Sequence, residues 1–318
     1  MQKMTHNYTE ELLRLAFEEH DHCVSCGYSF KKGDTAHLGY GHNNVPLYVC
    51  DNCSNKLEET VVRHYYTPRP YEIPSPDSRL WRYMDFTKYV SMLSSSGLYF
   101  SRADQFEDPF EGAKGLITKK DKWDKHFLSF FKEAIENPPE GYDSTLSEEE
   151  IKEEALRLLN ELDKGGKLQR KFVFINCWHE NEYESEAMWK LYSSHMDNAI
   201  AIKTTFGSLY KSMGKDPSIS IGRVKYIDYS RNYAGINDSF WRKRKSFSHE
   251  NEVRAIVHDH KCKKQGKIIK CDLDILIEKL YVSPTAPKWF IDLINDVNQK
   301  YELNKKVSPS SLGHQPFY

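Results

Sequence analysis

The apolar positions of this chain fall into short runs whose period keeps changing. At residues 80–84 the run LWRYM predicts a strand. Asp85 then stands as an N-cap candidate ahead of Phe86, Tyr89, Val90 and Leu93 at helical spacing, with Gly97 closing the helix. Residues 98–101 predict a second strand that runs into the turn DQFEDPFEG, where Asp108 before Pro109 fixes the bend. Further strands are predicted at KFVFINCW, AIAIKT, ISIGRVKYIDY, NEVRAIVH, GKIIKC and EKLYVS, with helices over SEAMWKLYSSH and PKWFIDLINDVNQKY. These strands are separated by helices without a regular βαβ rhythm, so the pattern predicts an α+β fold rather than a doubly wound sheet.

The flanks differ from this centre. Residues 5–19 set Leu12, Leu13, Leu15, Ala16 and Phe17 among charges, as a short amphipathic helix does. A cysteine-bearing module follows, and residues 1–64 are assigned to it together with its leading helix. The segment 65–78 holds four prolines, which forbid a helix and favour an extended linker. The main domain is expected over 79–303. Within it, about 114–170 reads as a charged helical insertion with a break at Pro139, its charges forming a solvated face. The tail 304–318, rich in Ser, Pro and Lys, is expected to be loose.

Composition changes the picture in three ways. The apolar share is 39% but weighted toward 20 Tyr, 16 Phe and 6 Trp, so cores and clefts should be aromatic, with hydroxyls and indoles seeking partners. The balance of 45 basic against 46 acidic residues gives no overall field toward nucleic acid or anionic membrane, so such binding would need a local patch. The first residues lack the apolar stretch of a signal peptide and no run is long enough to span a bilayer, which points to the cytoplasm.

Four of the seven cysteines form two tight pairs, Cys23 with Cys26 and Cys50 with Cys53, separated by 23 residues. A Cys-x2-Cys turn presents two thiolates to one side of a tetrahedral ion, and two such knuckles close the shell. The expectation is therefore a structural zinc in a zinc-ribbon or treble-clef module. The nuclease alternative rests on His37, His42, Asn43 and Asn44 between the pairs and Asn55 and Lys56 after them. It lacks an evident acidic or histidine pair for a catalytic magnesium, and these residues are equally good turn formers.

The motifs LWRYMD at 80–85, GLYFSRADQFEDPFEG at 97–112, NCWHE with ESEAMWKLYS at 176–193, and FSHENEVRAIV at 247–257 come in an order that resembles the bacterial family called domain of unknown function 2971. That order also looks like the ADP-ribosyltransferase arrangement, with an Arg on a first strand, a Ser on a later one and Glu-x-Glu opening another. The resemblance implies a split mixed β-sheet that binds NAD between its halves, acting in a bacterial cell in phage defence or toxin function. It places Glu252 and Glu250 as catalytic carboxylates, and Arg82, Tyr83, Ser101, Phe106, Trp189 and Tyr192 around NAD. Cleaving the nicotinamide bond develops positive charge on the ribose, which a carboxylate stabilises, while an arginine fork suits phosphate oxygens.

Plainer roles compete at each position. Glu252 and Arg254 alternate along a strand as an edge ion pair would, and Arg82 has Asp85 and Glu107 within sequence reach. On the helix after Ser185, Ala187, Met188 and Leu191 form a core stripe, leaving Trp189 as packing or cleft wall. Cys177 beside His179 is weak grounds for a thiol nucleophile. The run Arg242, Lys243, Arg244 and Lys245, flanked by aromatics, is either a phosphate-gripping patch for a nucleic-acid acceptor or a solvated helix end. The rival to an enzyme is a recognition module in which the zinc hairpin and aromatic cleft bind nucleic acid or protein.

Overall fold

A computed structural model describes residues 5–7, 22–23, 26–31, 34–40, 46–53, 71–138, 146–193, 196–216, 218–235 and 237–318. Near the N-terminus, β1 (Thr5–Asn7), β2 (Thr35–Tyr40) and β3 (Pro46–Cys50) form a small antiparallel sheet in that order. Thr5 to Asn7 pair with His37 to Thr35, so the helix expected over 5–19 does not begin at residue 5; the rest of that stretch lies outside the described residues. The same holds for His42, Asn43, Asn44, Asn55 and Lys56, and for the side chain of His37.

The larger body is built on nine strands. β4 (Arg79–Asp85), β5 (Gly97–Arg102), β6 (Val173–Glu180), β7 (Ala199–Thr205), β8 (Ile219–Arg223), β11 (Glu252–His258), β12 (Gly266–Lys270), β13 (Lys279–Val282) and β14 (Val307–Pro309) share one mixed sheet. Two further short strands, β9 (Lys225–Ile227) and β10 (Arg242–Arg244), pair in parallel beside it. The principal core packs Leu80, Tyr89, Phe100, Phe174, Trp178, Ile200, Ile202, Val253, Ala255 and Phe290 on one face. Helices α1 (Phe86–Ser95) and α7 (Lys288–Lys300) supply part of that packing.

One feature of the topology decides where the site lies. β6 is paired along its length by β11 on one edge, from Val173 to His179. Its other edge is shared: β5 takes Ile175 and Phe174, and β4 takes Glu180 and His179. Between those two pairings, residues 176–178 face a notch. The sheet is therefore split, and the α+β class read from the pattern holds, with α2 (Lys120–Glu136) and α3 (Glu148–Gln169) as the helical insertion. A Ser147–Glu150 capping box starts α3, whose buried face is Ile151, Ala155 and Leu159. No helix among the described residues is long and apolar enough to cross a membrane.

Several local expectations change. Helix α1 ends on Ser96, held left-handed at φ 42°, not on Gly97. Gly97 opens β5 instead, where a Cβ would lie 2.6 Å from the Ile269 carbonyl oxygen, so its bareness serves strand pairing. The second half of the expected linker is packed: Glu72 bridges to Arg223, and the Tyr71 ring lies 4.0 Å from that of Trp241. The tail is not loose throughout. Val307 to Pro309 add a parallel strand to β13, and Ser310 and Ser311 donate to the Glu184 carboxylate. Unpaired β13 edge groups and the half-buried Glu184 carboxylate outweigh the polar composition there.

Candidate functional site

The notch opens into a cavity of about 550 Å³. Strand alternation assigns its walls. Paired residues share a face, so Trp81, His179 and Glu252 stand in one row, with Tyr83, Cys177 and Ser101 on the same side. Arg82 lies between Trp81 and Tyr83 and leaves from the opposite face, with Leu80 and Met84. The gap between β4 and β5 lets both faces contribute, and Arg82, Tyr83, Ser101, Phe106, Tyr192, Glu250 and Glu252 all border the one cavity.

Arg82 does not pair with Asp85 or Glu107. Its guanidinium lies over the Trp178 ring, 5.6 Å from the centroid, and its buried Nη1 has no hydrogen-bond partner. Burial pulls its pKa down, with no carboxylate beside it to oppose this. Such a nitrogen is costly to leave unmet and marks a place for an anion. Next to it, α1 turns Thr87, Lys88, Ser91 and Ser95 toward the same cavity.

The other end is acidic and tightly wired. Glu252 is 4% exposed and Arg254 is 0% exposed. They form an ion pair, as the alternation suggested, but on a buried interior strand flanked by β6 and β8 rather than at an edge. Arg254 Nε donates to Glu252 Oε1 at 2.5 Å, and its Nη1 and Nη2 reach Glu111 at 2.6 and 2.8 Å. Lys243 Nζ donates to Glu252 Oε2 at 3.1 Å and also to Glu250. Burial alone would push the Glu252 carboxyl up, but Arg254 and Lys243 override it and hold it at about 2. Glu252 is therefore ionised at any physiological pH. Glu250, also buried, is paired to Lys243 and accepts from the Tyr192 hydroxyl.

Two residues sequence reasoning left aside stand out. His179 brings Nδ1 within 2.5 Å of the Glu250 carbonyl oxygen, while its buried Nε2 has no partner. Glu111 is the far anchor of Arg254, 143 positions away in the chain. Burial pushes the Cys177 thiol well up, and the Glu252 carboxylate it hydrogen-bonds adds to the shift, which disfavours the thiolate a nucleophile needs.

Trp189 leaves the site. It is fully buried, packs edge-on against Tyr83 and donates its indole N–H to Glu184 at 3.2 Å. Helix α4 (Glu186–Tyr192) buries Met188 and Trp189 while Leu191 is 58% exposed, so the expected Ala187–Met188–Leu191 stripe does not form. A seven-residue helix docks by its middle, where the large rings lie. The basic run is also corrected. Lys243 is consumed by Glu250 and Glu252, Arg242 pairs with Asp238, and Arg244 pairs with Asp108 and stacks on Phe110 and Phe247, leaving Lys245 exposed.

In the small module the four sulfur atoms of Cys23, Cys26, Cys50 and Cys53 lie within 4.8 Å of one another. Cys26 and Cys50 are 3.7 Å apart, close to the edge of a tetrahedron with zinc–sulfur bonds of about 2.3 Å. Gly27, at φ 73°, turns the first knuckle so that its amide bonds the Cys23 carbonyl. The donors fit zinc, and a closed thiolate shell would supply folding energy rather than catalysis.

No family model matches the chain, so the likeness to domain of unknown function 2971 goes no further than its motifs, and no curated protein matches the sequence. Among solved structures the chain is similar to Thermus sp. 2.9 DarT in complex with ADP-ribosylated ssDNA, at 8% identity over 77% of this chain and 99% of that one, with a TM-score of 0.34. It is similar in the same way to Thermus sp. 2.9 DarT in complex with NAD+, at 8% identity over 76% and 100%, with a TM-score of 0.33. Overlap of that order leaves the reading of the site to its own residues.

Proposed function

We propose that the notch binds NAD and that the chain cleaves its nicotinamide–ribose bond, passing ADP-ribose to an acceptor or to water. The observation that carries this reading is the polarity of the cavity. At one end stands a guanidinium with an unmet buried nitrogen beside a helix face of Lys88 and hydroxyls; at the other stand two buried carboxylates. The pyrophosphate of a dinucleotide is anionic and belongs at the first end, where the Arg82 fork suits its oxygens. The ribose that gains positive charge belongs at the second. The volume lies inside the range of roughly 300–1,000 Å³ common for small-molecule sites.

Within the carboxylate pair the roles divide. Glu252 accepts from Arg254, Lys243 and Cys177, so it anchors Lys243 and presents fixed negative charge. Glu250, tied to Lys243 and Tyr192, keeps more acceptor capacity for a ribose hydroxyl. Tyr83, Tyr192 and Phe106 offer ring faces to nicotinamide or adenine. A nucleic-acid acceptor would find Lys245 and part of the Arg244 side chain on the surface, with Arg244 already paired to Asp108, so the four-cysteine module is a second candidate for holding it.

The test is nicotinamide release from NAD by the purified chain, compared with Glu252→Gln and Arg82→Ala. The reading expects release by the wild type, a raised KM in Arg82→Ala and a lowered kcat in Glu252→Gln. No release by the folded wild type would end it, and equal turnover in Glu252→Gln would remove that residue from the mechanism.

A further inference from the structure

We infer that His179 is the general base of the notch, its Nε2 taking the proton of the nucleophile that attacks the ribose. This deepens the proposed function and rests on it. Two independent features point there. A carbonyl oxygen can only accept, so the 2.5 Å contact with the Glu250 carbonyl places the ring proton on Nδ1. Nε2 then carries the lone pair. That atom meets no partner in the protein, and it belongs to a residue that lines the cavity and is only 8% exposed. A buried acceptor of this kind, left unmet, is satisfied by a donor arriving in the cavity.

The surroundings suit the task. Burial lowers the pKa of His179, with the Glu250 carbonyl bond and the charges of Glu250 and Glu180 opposing it, so the ring is neutral and ready to accept at neutral pH. The groups that face it are Glu250 and His249 from residues 245–250, Glu252 directly across on β11, Tyr83 on β4 and Glu180 on its own strand. Glu180 is itself neutralised by Arg223. The imidazolium formed by proton transfer would thus appear beside two carboxylates.

The step balances with water, or an acceptor hydroxyl, as the co-reactant. The bond between the ribose anomeric carbon and the nicotinamide nitrogen breaks, and its electron pair leaves with neutral nicotinamide. The nucleophile oxygen bonds the anomeric carbon, its proton moves to His179 Nε2 and then to solvent. No oxidant or reductant is needed.

The experiment uses the full chain with NAD and water. His179→Asn keeps a side-chain N–H for the Glu250 carbonyl and removes Nε2; His179→Gln is the second variant, and melting temperature and NAD binding by calorimetry accompany both. The expected result is nicotinamide release slowed about 10²–10⁴-fold in both variants with NAD affinity retained. The wild-type rate should fall on the acid side as His179 gains a proton, a limb missing from the variants. Wild-type turnover with an unchanged rate or an unchanged acid limb in a folded variant would overturn the role of His179 while leaving NAD cleavage standing. Absence of wild-type turnover would overturn both.

Discussion

Arg254 donates to both carboxylate oxygens of Glu252, through Nε at 2.5 Å and through Nη2 at 3.2 Å, and both residues are buried. Each has one further ionic partner, Glu111 for Arg254 and Lys243 for Glu252, so removing either charge unbalances a buried network. Replacing Arg254 with Leu should cost about 3–5 kcal/mol of stability, because Glu252 and Glu111 are then both left in a low dielectric. Urea unfolding of the two proteins checks this, and a loss below about 1 kcal/mol would mean that water reaches the pair.

The same pair sets a pH dependence. Glu252 is held at about 2, below the ordinary 4.5 for a glutamate, so its contribution to stability is complete above 4.5 and drains away as the pH falls toward 2. Glu111 acts with the opposite sign, since burial raises its pKa. The stability gap between wild type and Glu252→Gln should therefore narrow between about pH 5 and about pH 3. A gap that stays constant over that window would show that Glu252 keeps its ordinary pKa.

How much of this was legible from the residues alone follows from what periodicity encodes. Alternation and helical spacing located the strands and helices of the main body, and the residue types at Arg82, Ser101, Glu250 and Glu252 marked positions that the fold brings to one cavity. Neither signal says which distant segments meet. Lys243 looked like part of a solvated run because its partners, Glu250 and Glu252, reach it only through the pairing of β10 with β9 and the turn after it. Glu111 was passed over, and His179 was weighed only beside Cys177, for the same reason: their contacts are made across the sheet.

Trp189, read from the helix as packing or cleft wall, is buried and is not among the residues that line the cavity. Trp189→Phe should lower stability by about 1–3 kcal/mol through lost packing and the lost bond to Glu184, and leave NAD affinity unchanged. Calorimetry decides; a tenfold weaker affinity would return Trp189 to the binding wall.

Ser96 carries a left-handed backbone at φ 42° that glycine adopts freely. Ser96→Gly should raise stability by about 0.5–1 kcal/mol, the relief of strain exceeding the greater freedom of the unfolded chain. A lower urea midpoint in the variant would show that the Ser96 side chain holds the turn.

The four-cysteine module should contain one zinc per chain by elemental analysis, and Cys53→Ser should abolish it. Acidification should release the metal as protons compete for thiolate. A metal-free purified chain with a folded module would remove zinc from the description.

The division of one β6 edge between β5 and β4 has a mechanical consequence. Within the plane of the sheet these two neighbours are not bonded to each other, so any change in the width of the opening must be absorbed by the three peptide units at 176–178 and by the helix that joins β4 to β5. The Asn176 side chain already spans part of that interval, donating to the Tyr99 carbonyl at 2.8 Å. That amide carries the tie between β5 and β6 one residue past the Ser101–Ile175 pair, so the opening begins beyond Asn176.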